Sequence, residues 1–383
     1  MDFSLSTDDR AIQSLAHDFV RREIVPVAAR HDLLASFPHA VVAKARELGL
    51  MNLGLPPEYG GCGAGALTVA AVAEELAWGC AGIAACIMLN DMVALPLLLA
   101  GTSDQQAKYF DLLRGGVAAY ALTEPDAGSD AAAIGTLATR TARGYRLTGR
   151  KTWISHAPEA GFFVVFAKTD PEAGSHGISA FLVDRAFAGV SVGTPLPKMG
   201  QRASSAAELT LSDVEVPAEA LLGAEGEGFT LAMNVFDRSR SMVAAFGVGV
   251  AQRALDEAVA YADTRVAFGR PIKSHEGIGF KLAEIGMRTE AARLLTQKAA
   301  WLADAGRSST LAAAYAKTFA ADTAMWAAVE AVQVFGGHGY SQDYPVEKLM
   351  RDAKLLQIYE GTNEIQRVVM ARELTGGRAW QNR

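Results

Sequence analysis

Along the first 115 residues the apolar positions recur at helical spacing. Ile12, Leu15, Phe19 and Val20 follow Ser6-Thr7-Asp8-Asp9, which supplies an N-cap and an acidic first turn. The run MNLGLPPEYGGCGAG reads as a Pro/Gly loop, and LTVAAVAEELAWGCAG resumes the helix. Between about residues 119 and 225 the period changes. FFVVFAKT, GISAFLVD and AELTLSDVEV are short, rich in Val, Phe and Ile, and bounded by turn formers, so they read as antiparallel strands. In YRLTGRKTWIS, Tyr145, Leu147 and Trp153 alternate with polar neighbours, which predicts a shared face for Trp153 and Ser155. After Gly226 the strand signal vanishes. One helix is expected from NVFDRSR through RVAF, with Val250, Ala254, Leu255, Ala258 and Tyr261 on one face and Arg270-Pro271 ending it. Two more long helices each end at Gly. A shorter one, PVEKLMRDAKLLQIYE, stops at Gly361, and Thr362 caps a last helix, NEIQRVVMAREL. The pattern is α+β and mostly α: a helical region 1–118, a β region 119–225 and a helical bundle 226–383.

Composition narrows the function classes. Half of the 383 residues are hydrophobic and 20% are charged, which excludes a disordered or fibrous chain. A net charge of -6 argues against a nucleic-acid binder. Cys62, Cys80 and Cys86 have no CxxC spacing and are expected to be buried, reduced thiols of a cytoplasmic protein. The polar start MDFSLSTDDR carries no signal-like apolar stretch. IAACIMLNDMVALPLLLAG is interrupted by Asn90, Asp91 and Pro96, so a buried helix is expected and not a membrane span. The histidines form no HxxxH or HExxH cluster, and no metal site is expected.

Several motifs each admit a structural and a chemical reading. GGCGAG at 60–65 lacks a preceding strand and a following βαβ unit, so a loop opening a helix is preferred to a dinucleotide site. YALTEPDAGSD, residues 120–130, is either a polar connection or a glycine-bearing loop that lies against a flat heterocycle and its phosphate. KTWIS offers Trp153 and Ser155 as either core or ring-stacking groups. RVAFGR brackets an aromatic with Arg265 and Arg270, either completing a helix end or clamping a diphosphate. QVFGGHGY ends a helix with two glycines, as a C-cap or a close ligand approach. In QIYEGTNE one carboxylate, Glu360, sits between an apolar-aromatic pair and a glycine.

Together with KMGQRAS, FDRSR and YPVEKLMRDAK, these motifs occur in the order seen in the acyl-CoA dehydrogenase family, and the chain most resembles its medium- and short-chain branches. The resemblance runs almost end to end. It implies an N-terminal helical domain, a middle β domain and a C-terminal four-helix bundle, usually in a homotetramer. It also implies non-covalent FAD and oxidation of an acyl-CoA to the trans-2-enoyl-CoA, with electrons passed to an electron-transferring flavoprotein. Carried over by motif, Tyr120, Leu122, Thr123, Gly128 and Ser129 line the flavin and its diphosphate, Ser129 also facing substrate. Trp153 covers a flavin face, and Ser155 supplies its hydroxyl. Arg265 and Phe268 reach the FAD of a neighbouring subunit, with Gln333, Gly336 and Gly337 around its adenine half. Thr362 and Asn363 open a helix whose N-terminus faces the phosphates. Asp237 and Arg240 hold the CoA side, and Tyr359 and Gly361 border the thioester. Glu360 falls on the family's base position; it takes the α proton while a hydride leaves to flavin N5. Burial beside Ile358 and Tyr359 is expected to raise its pKa. Branches that place the base on the FDRSR helix would need a carboxylate where Ser239 stands. Asp126, His156 and Glu276 depart from common family residues, which puts individual FAD contacts in question. The apolar GIAACIMLN, with Ala84, Ala85 and Met88, implies an uncharged acyl chain. The remaining alternatives are an oxidase that uses oxygen and a non-catalytic CoA-ester binder of the same fold.

Overall fold

The computed structural model describes residues 1–376; residues 377–383 of the third expected region lie outside it. The N-terminal part is helical, with α1 (Thr7–Phe19), α2 (Val25–Leu34), α3 (His39–Glu47), α4 (Ala66–Ala100) and α5 (Ser103–Gly115). The Ser6 hydroxyl accepts the Asp9 N–H and starts α1 as the sequence predicts. Thr102 and Gln105 close a reciprocal capping box on α5. Among the described residues, α4 alone is long and apolar enough to cross a membrane. Of its most apolar window 67% is buried in the protein, where α4 packs against a later helix, α6 (Gly228–Thr264). Cys80 and Cys86 lie inside this packing, whereas Cys62 is exposed on the Pro/Gly loop, contrary to expectation.

The middle part is one sheet of eight strands. They are β1 (Ala119–Ala121), β2 (Leu137–Thr141), β3 (Gly144–Ser155), β4 (Phe162–Lys168), β5 (Ile178–Asp184), β6 (Val190–Val192), β7 (Ala206–Pro217) and β8 (Leu221–Leu222). Most pairs are antiparallel, but β1 and β2 both run parallel to β4, a departure from the all-antiparallel expectation. One face of the sheet packs with α4 and α5, and the other closes a separate apolar core around Phe163, Val165, Phe181 and Leu209.

The C-terminal part contains α6, α7 (Glu276–Asp304), α8 (Thr310–Phe335), α9 (Pro345–Leu356) and α10 (Asn363–Leu374). The helix α6 stops at Thr264, earlier than its apolar period suggests. Residues 266–271 instead form a two-residue hairpin, β9 (Val266–Ala267) with β10 (Arg270–Pro271), so strands do recur after Gly226. Phe268 and Gly269 both take positive φ, 53° and 79°, as the tightest hairpin turn requires. Helix α9 likewise ends at Leu356, before the expected stop, and releases the segment that carries Glu360.

Candidate active site

Between α9 and α10 the chain makes a tight, left-handed turn. The N–H groups of Ile358 and Tyr359 close back on the Leu355 carbonyl, and the Asn363 N–H reaches the Gln357 carbonyl at 3.0 Å. Thr362 then caps α10 by accepting the Ile365 N–H, as predicted. Glu360 has φ 56° and Gly361 φ 83°. A glutamate in this region is strained, by about 1–3 kcal/mol, and such residues concentrate at functional sites. Gly361 is required twice over: its φ favours glycine, and a Cβ there would come 2.6 Å from Gln366 Nε2.

The strained turn presents Glu360 to α6. Ser239 Oγ, buried on α6, donates to Glu360 Oε2 at 2.8 Å. Burial lifts the Glu360 carboxyl above the usual glutamate range; the Ser239 hydroxyl and the Arg240 and Lys317 charges pull it back only partly. Ile358 is 49% exposed and contributes little to this burial, which corrects the expectation that it flanks the carboxylate. Tyr359 is packed against the core instead. Tyr120, on β1, packs tilted against Phe166 and edge-on to Phe236, with ring centroids at 4.9 and 5.8 Å, and no partner among the described residues meets its hydroxyl. Desolvation and the nearby Glu360 charge hold that phenol protonated. The sheet thus contributes a neutral, unpaired hydroxyl to the neighbourhood of the carboxylate.

Arg240 was expected to face the CoA. It is only 4% exposed, pairs with Asp237 at 2.5 Å and acts on Glu360 from inside α6. Asp237 also accepts from Thr310 at 2.6 Å. Asn363 is turned inward as well: its amide donates to Asp322 at 2.7 Å and its N–H to the Gln357 carbonyl, so the expected phosphate contact finds no free donor on this residue. Lys317, on α8, was not foreseen. It is fully buried and donates to the Gly361 carbonyl at 2.8 Å and to Asn363 Oδ1 at 3.0 Å. A lysine standing among the buried alanines of YAKTFAAD was the available signal.

A second group lies on the loop after β1. Leu122 is buried, its carbonyl accepting from Lys151, and the Thr123 carbonyl accepts the Thr152 N–H at 2.9 Å. Lys151 is buried in an ion pair with Glu124 at 2.6 Å, and Glu124 also accepts from Gly135 and Thr136. This pairing lowers the Glu124 pKa, although burial opposes it, and desolvation brings Lys151 down to about 8. The anchored ends leave Pro125, Asp126, Gly128 and Ser129 exposed between them, with open space above Gly128. Next to this anchor the β3–β7 register slips between Lys151 and Ile154. Trp153 adopts φ 58° and stands 58% exposed, while Tyr145 and Leu147 are buried. The bulge reverses the strand's phase, so Trp153 does not share their face as the alternation predicted. Ser155, two residues on, is half-buried.

A third group surrounds a cavity of about 530 Å³ lined by Arg265, Phe268, Gly336, Gly337 and their neighbours. Phe268 is 96% exposed at the hairpin tip. Gly336 ends α8 with φ 61°, its N–H bonded to the Gln333 carbonyl, and Gln333 is exposed beside it.

Family models described as the acyl-CoA dehydrogenase N-terminal, middle and C-terminal domains match residues 6–116, 119–214 and 226–375. An acyl-CoA dehydrogenase of Bacillus subtilis is 42% identical, covering 96% of this chain and 97% of its own length. The butyryl-CoA dehydrogenase structure from Megasphaera elsdenii superposes with a TM-score of 0.94 at 40% identity, covering 98% of this chain and all of that one. A chain of the structure describing the electron transferring flavoprotein of Acidaminococcus fermentans matches equally, with a TM-score of 0.94, 40% identity and coverage of 98% and 99%.

Proposed function

The chain belongs to the acyl-CoA dehydrogenase family, and from that premise we propose that Glu360 is the base that takes the α proton of an acyl-CoA thioester on its way to the trans-2-enoyl-CoA. The protein is an oxidoreductase, and the family's cofactor is FAD. The residues present fit that group. An indole is held exposed on a strained bulge, space is open above Gly128, and Arg265 and Phe268 line a cavity. In this reading Tyr120, Leu122, Thr123, Gly128, Ser129, Trp153 and Ser155 hold the flavin side, and Arg265, Phe268, Gln333, Gly336 and Gly337 hold the adenine side of a neighbouring subunit's cofactor. When bound, FAD supplies a hydride acceptor for the β carbon.

The observation that carries the reading is the carboxylate at the left-handed turn. An α C–H of a thioester is a weak acid, so its base gains from a raised pKa. Glu360 has that shift from burial, and the Ser239 bond engages Oε2, leaving Oε1 to meet a substrate hydrogen. Fixing one oxygen orients the other, which is the positional advantage a base in a near-attack arrangement needs. The Glu360 N–H is the proposed donor to the thioester oxygen, where charge develops. Tyr120 and Tyr359 exclude water around the carboxylate. Ala84, Ala85 and Met88, buried along α4, support an uncharged acyl chain.

Similarity to the chain from the electron transferring flavoprotein structure supports a protein of that kind as the electron acceptor. A homotetramer in the cytoplasm completes the proposal, the exposed Phe268 being the contact toward a neighbouring subunit. The test is anaerobic bleaching of the flavin by a panel of straight, branched, cyclic and aryl acyl-CoAs. Bleaching by an uncharged acyl-CoA is expected. A protein that stays colourless after FAD is added would contradict the proposal.

A further inference from the structure

Helix α8 grips the base turn on both sides of Glu360. Lys317 donates both of its hydrogen bonds to that segment, to the Gly361 carbonyl and to Asn363 Oδ1. Five residues along the same helix, Asp322 accepts from Gln357 Nε2 at 2.6 Å and from Asn363 Nδ2 at 2.7 Å, and pairs with Arg367 at 3.0 Å. From the far side, Gln366 Nε2 donates to the carbonyls of Glu360 and Gly361 at 3.3 and 3.1 Å. The two consecutive left-handed residues are therefore held by their carbonyl oxygens, between α8 and α10.

Helix packing alone does not call for a cation at position 317. Its neighbours Ala313, Ala314, Ala316, Ala320 and Ala321 are buried and apolar, and an ammonium among them is costly unless it serves a partner. We propose that Lys317 is a positioning residue for the base: its ammonium clamps the Glu360–Gly361 turn and supplies a fixed positive charge behind the carboxylate. This inference rests on Glu360 being the base.

The groups around Glu360 and the two cations that act on it come from every element packed there. Helix α6 brings Ser239, Arg240 and Asp237; α8 brings Lys317 and Asp322; β1 brings Tyr120; Tyr359 adjoins in sequence; α10 brings Glu364 and Gln366. The cations acting on the carboxylate are Arg240 and Lys317. Arg240 is already paired with Asp237, whereas the hydrogen bonds of Lys317 go to a backbone oxygen and an amide. Burial brings Lys317 down to about 8, and Glu360 is the largest influence that restores its charge. Cation and base therefore support one another's ionised forms across the turn.

The test compares the holoenzyme with Lys317→Met, which removes charge and donor, and Lys317→Gln, which keeps a donor for the Gly361 carbonyl. One readout is flavin reduction by butyryl-CoA against pH. The other needs no turnover: the pH dependence of carbodiimide labelling at Glu360, followed by peptide mass spectrometry, with Glu360→Gln as blank. Both variants should move the labelling midpoint upward, by about one pH unit. For Lys317→Met, kcat should fall roughly 10- to 100-fold with KM little changed, and Lys317→Gln should lose less. If Lys317→Met does not fold, Lys317→Gln carries the labelling comparison. An unmoved midpoint would overturn the proposal. So would a midpoint that drops toward the ordinary glutamate range, the signature of a turn that has merely come apart. If no acyl-CoA reduces the wild-type flavin, the reading of Glu360 as base fails, while the labelling arm still reports on the clamp.

Discussion

Two side chains show how far local environment sets chemistry here. Glu360 keeps a carboxyl that is costly in two ways, a left-handed backbone and a desolvated charge, and both are met by neighbours on other elements. His156 carries the same backbone conformation, φ 64°, and is wholly buried against the edge of Phe37. Burial brings its pKa from 6.5 down to about 4. Above pH 6.5 the imidazole is neutral in folded and unfolded chains alike. As pH falls from 6.5 toward 4 the unfolded chain takes a proton that the folded one refuses, so stability drops, by roughly 3 kcal/mol at about 1.4 kcal/mol per pH unit. His156→Asn removes that titration, and asparagine tolerates positive φ. Urea unfolding midpoints should therefore separate in favour of the variant as pH falls from 7 to 4.5. A gap that does not change with pH would contradict the assignment.

At the scale of elements, the site depends on where helices stop. Helix α9 ends at Leu356 and α10 begins at Asn363, so Glu360 lies in a turn, and both carbonyls of the left-handed pair are held. Gly361→Ala would place a methyl group against Gln366 Nε2 and strain φ 83°. It should cost about 1–3 kcal/mol in thermal or urea unfolding, and should slow substrate-driven bleaching more than it weakens FAD retention. Loss of FAD with an unaltered bleaching rate per bound flavin would contradict this. The β3 bulge is the corresponding device in the sheet: it turns Trp153 outward next to a buried ion pair that anchors the loop of Gly128 and Ser129.

At the scale of the whole molecule, the three-part order of helices, sheet and helices was legible because long amphipathic periods and Gly, Pro and Thr boundaries are local signals. Ser6 and Thr362 act as the caps they resemble. What was not legible depends on pairing partners, near or distant in sequence, that hydrophobic periodicity does not record. The apolar period of α6 runs on through RVAF, and only the paired hairpin reveals its end. Trp153 looks like an alternating strand residue until the pairing of β3 with β7 shows the bulge beside the Lys151–Glu124 pair. Lys317 meets its turn across 44 residues of chain, so the lysine among alanines marks a buried cation but not its partner. Glu360 stood out in the sequence as one motif within an ordered set, and the fold brings it together with Ser239 and Tyr120 from two other elements. The central claim is that this carboxylate takes the substrate proton. Anaerobic mixing of the FAD-loaded protein with a reactive acyl-CoA tests it most directly, comparing wild type with Glu360→Gln. The account predicts that the variant binds FAD and acyl-CoA and stays yellow while the wild type bleaches; bleaching of the variant at close to the wild-type rate would contradict it.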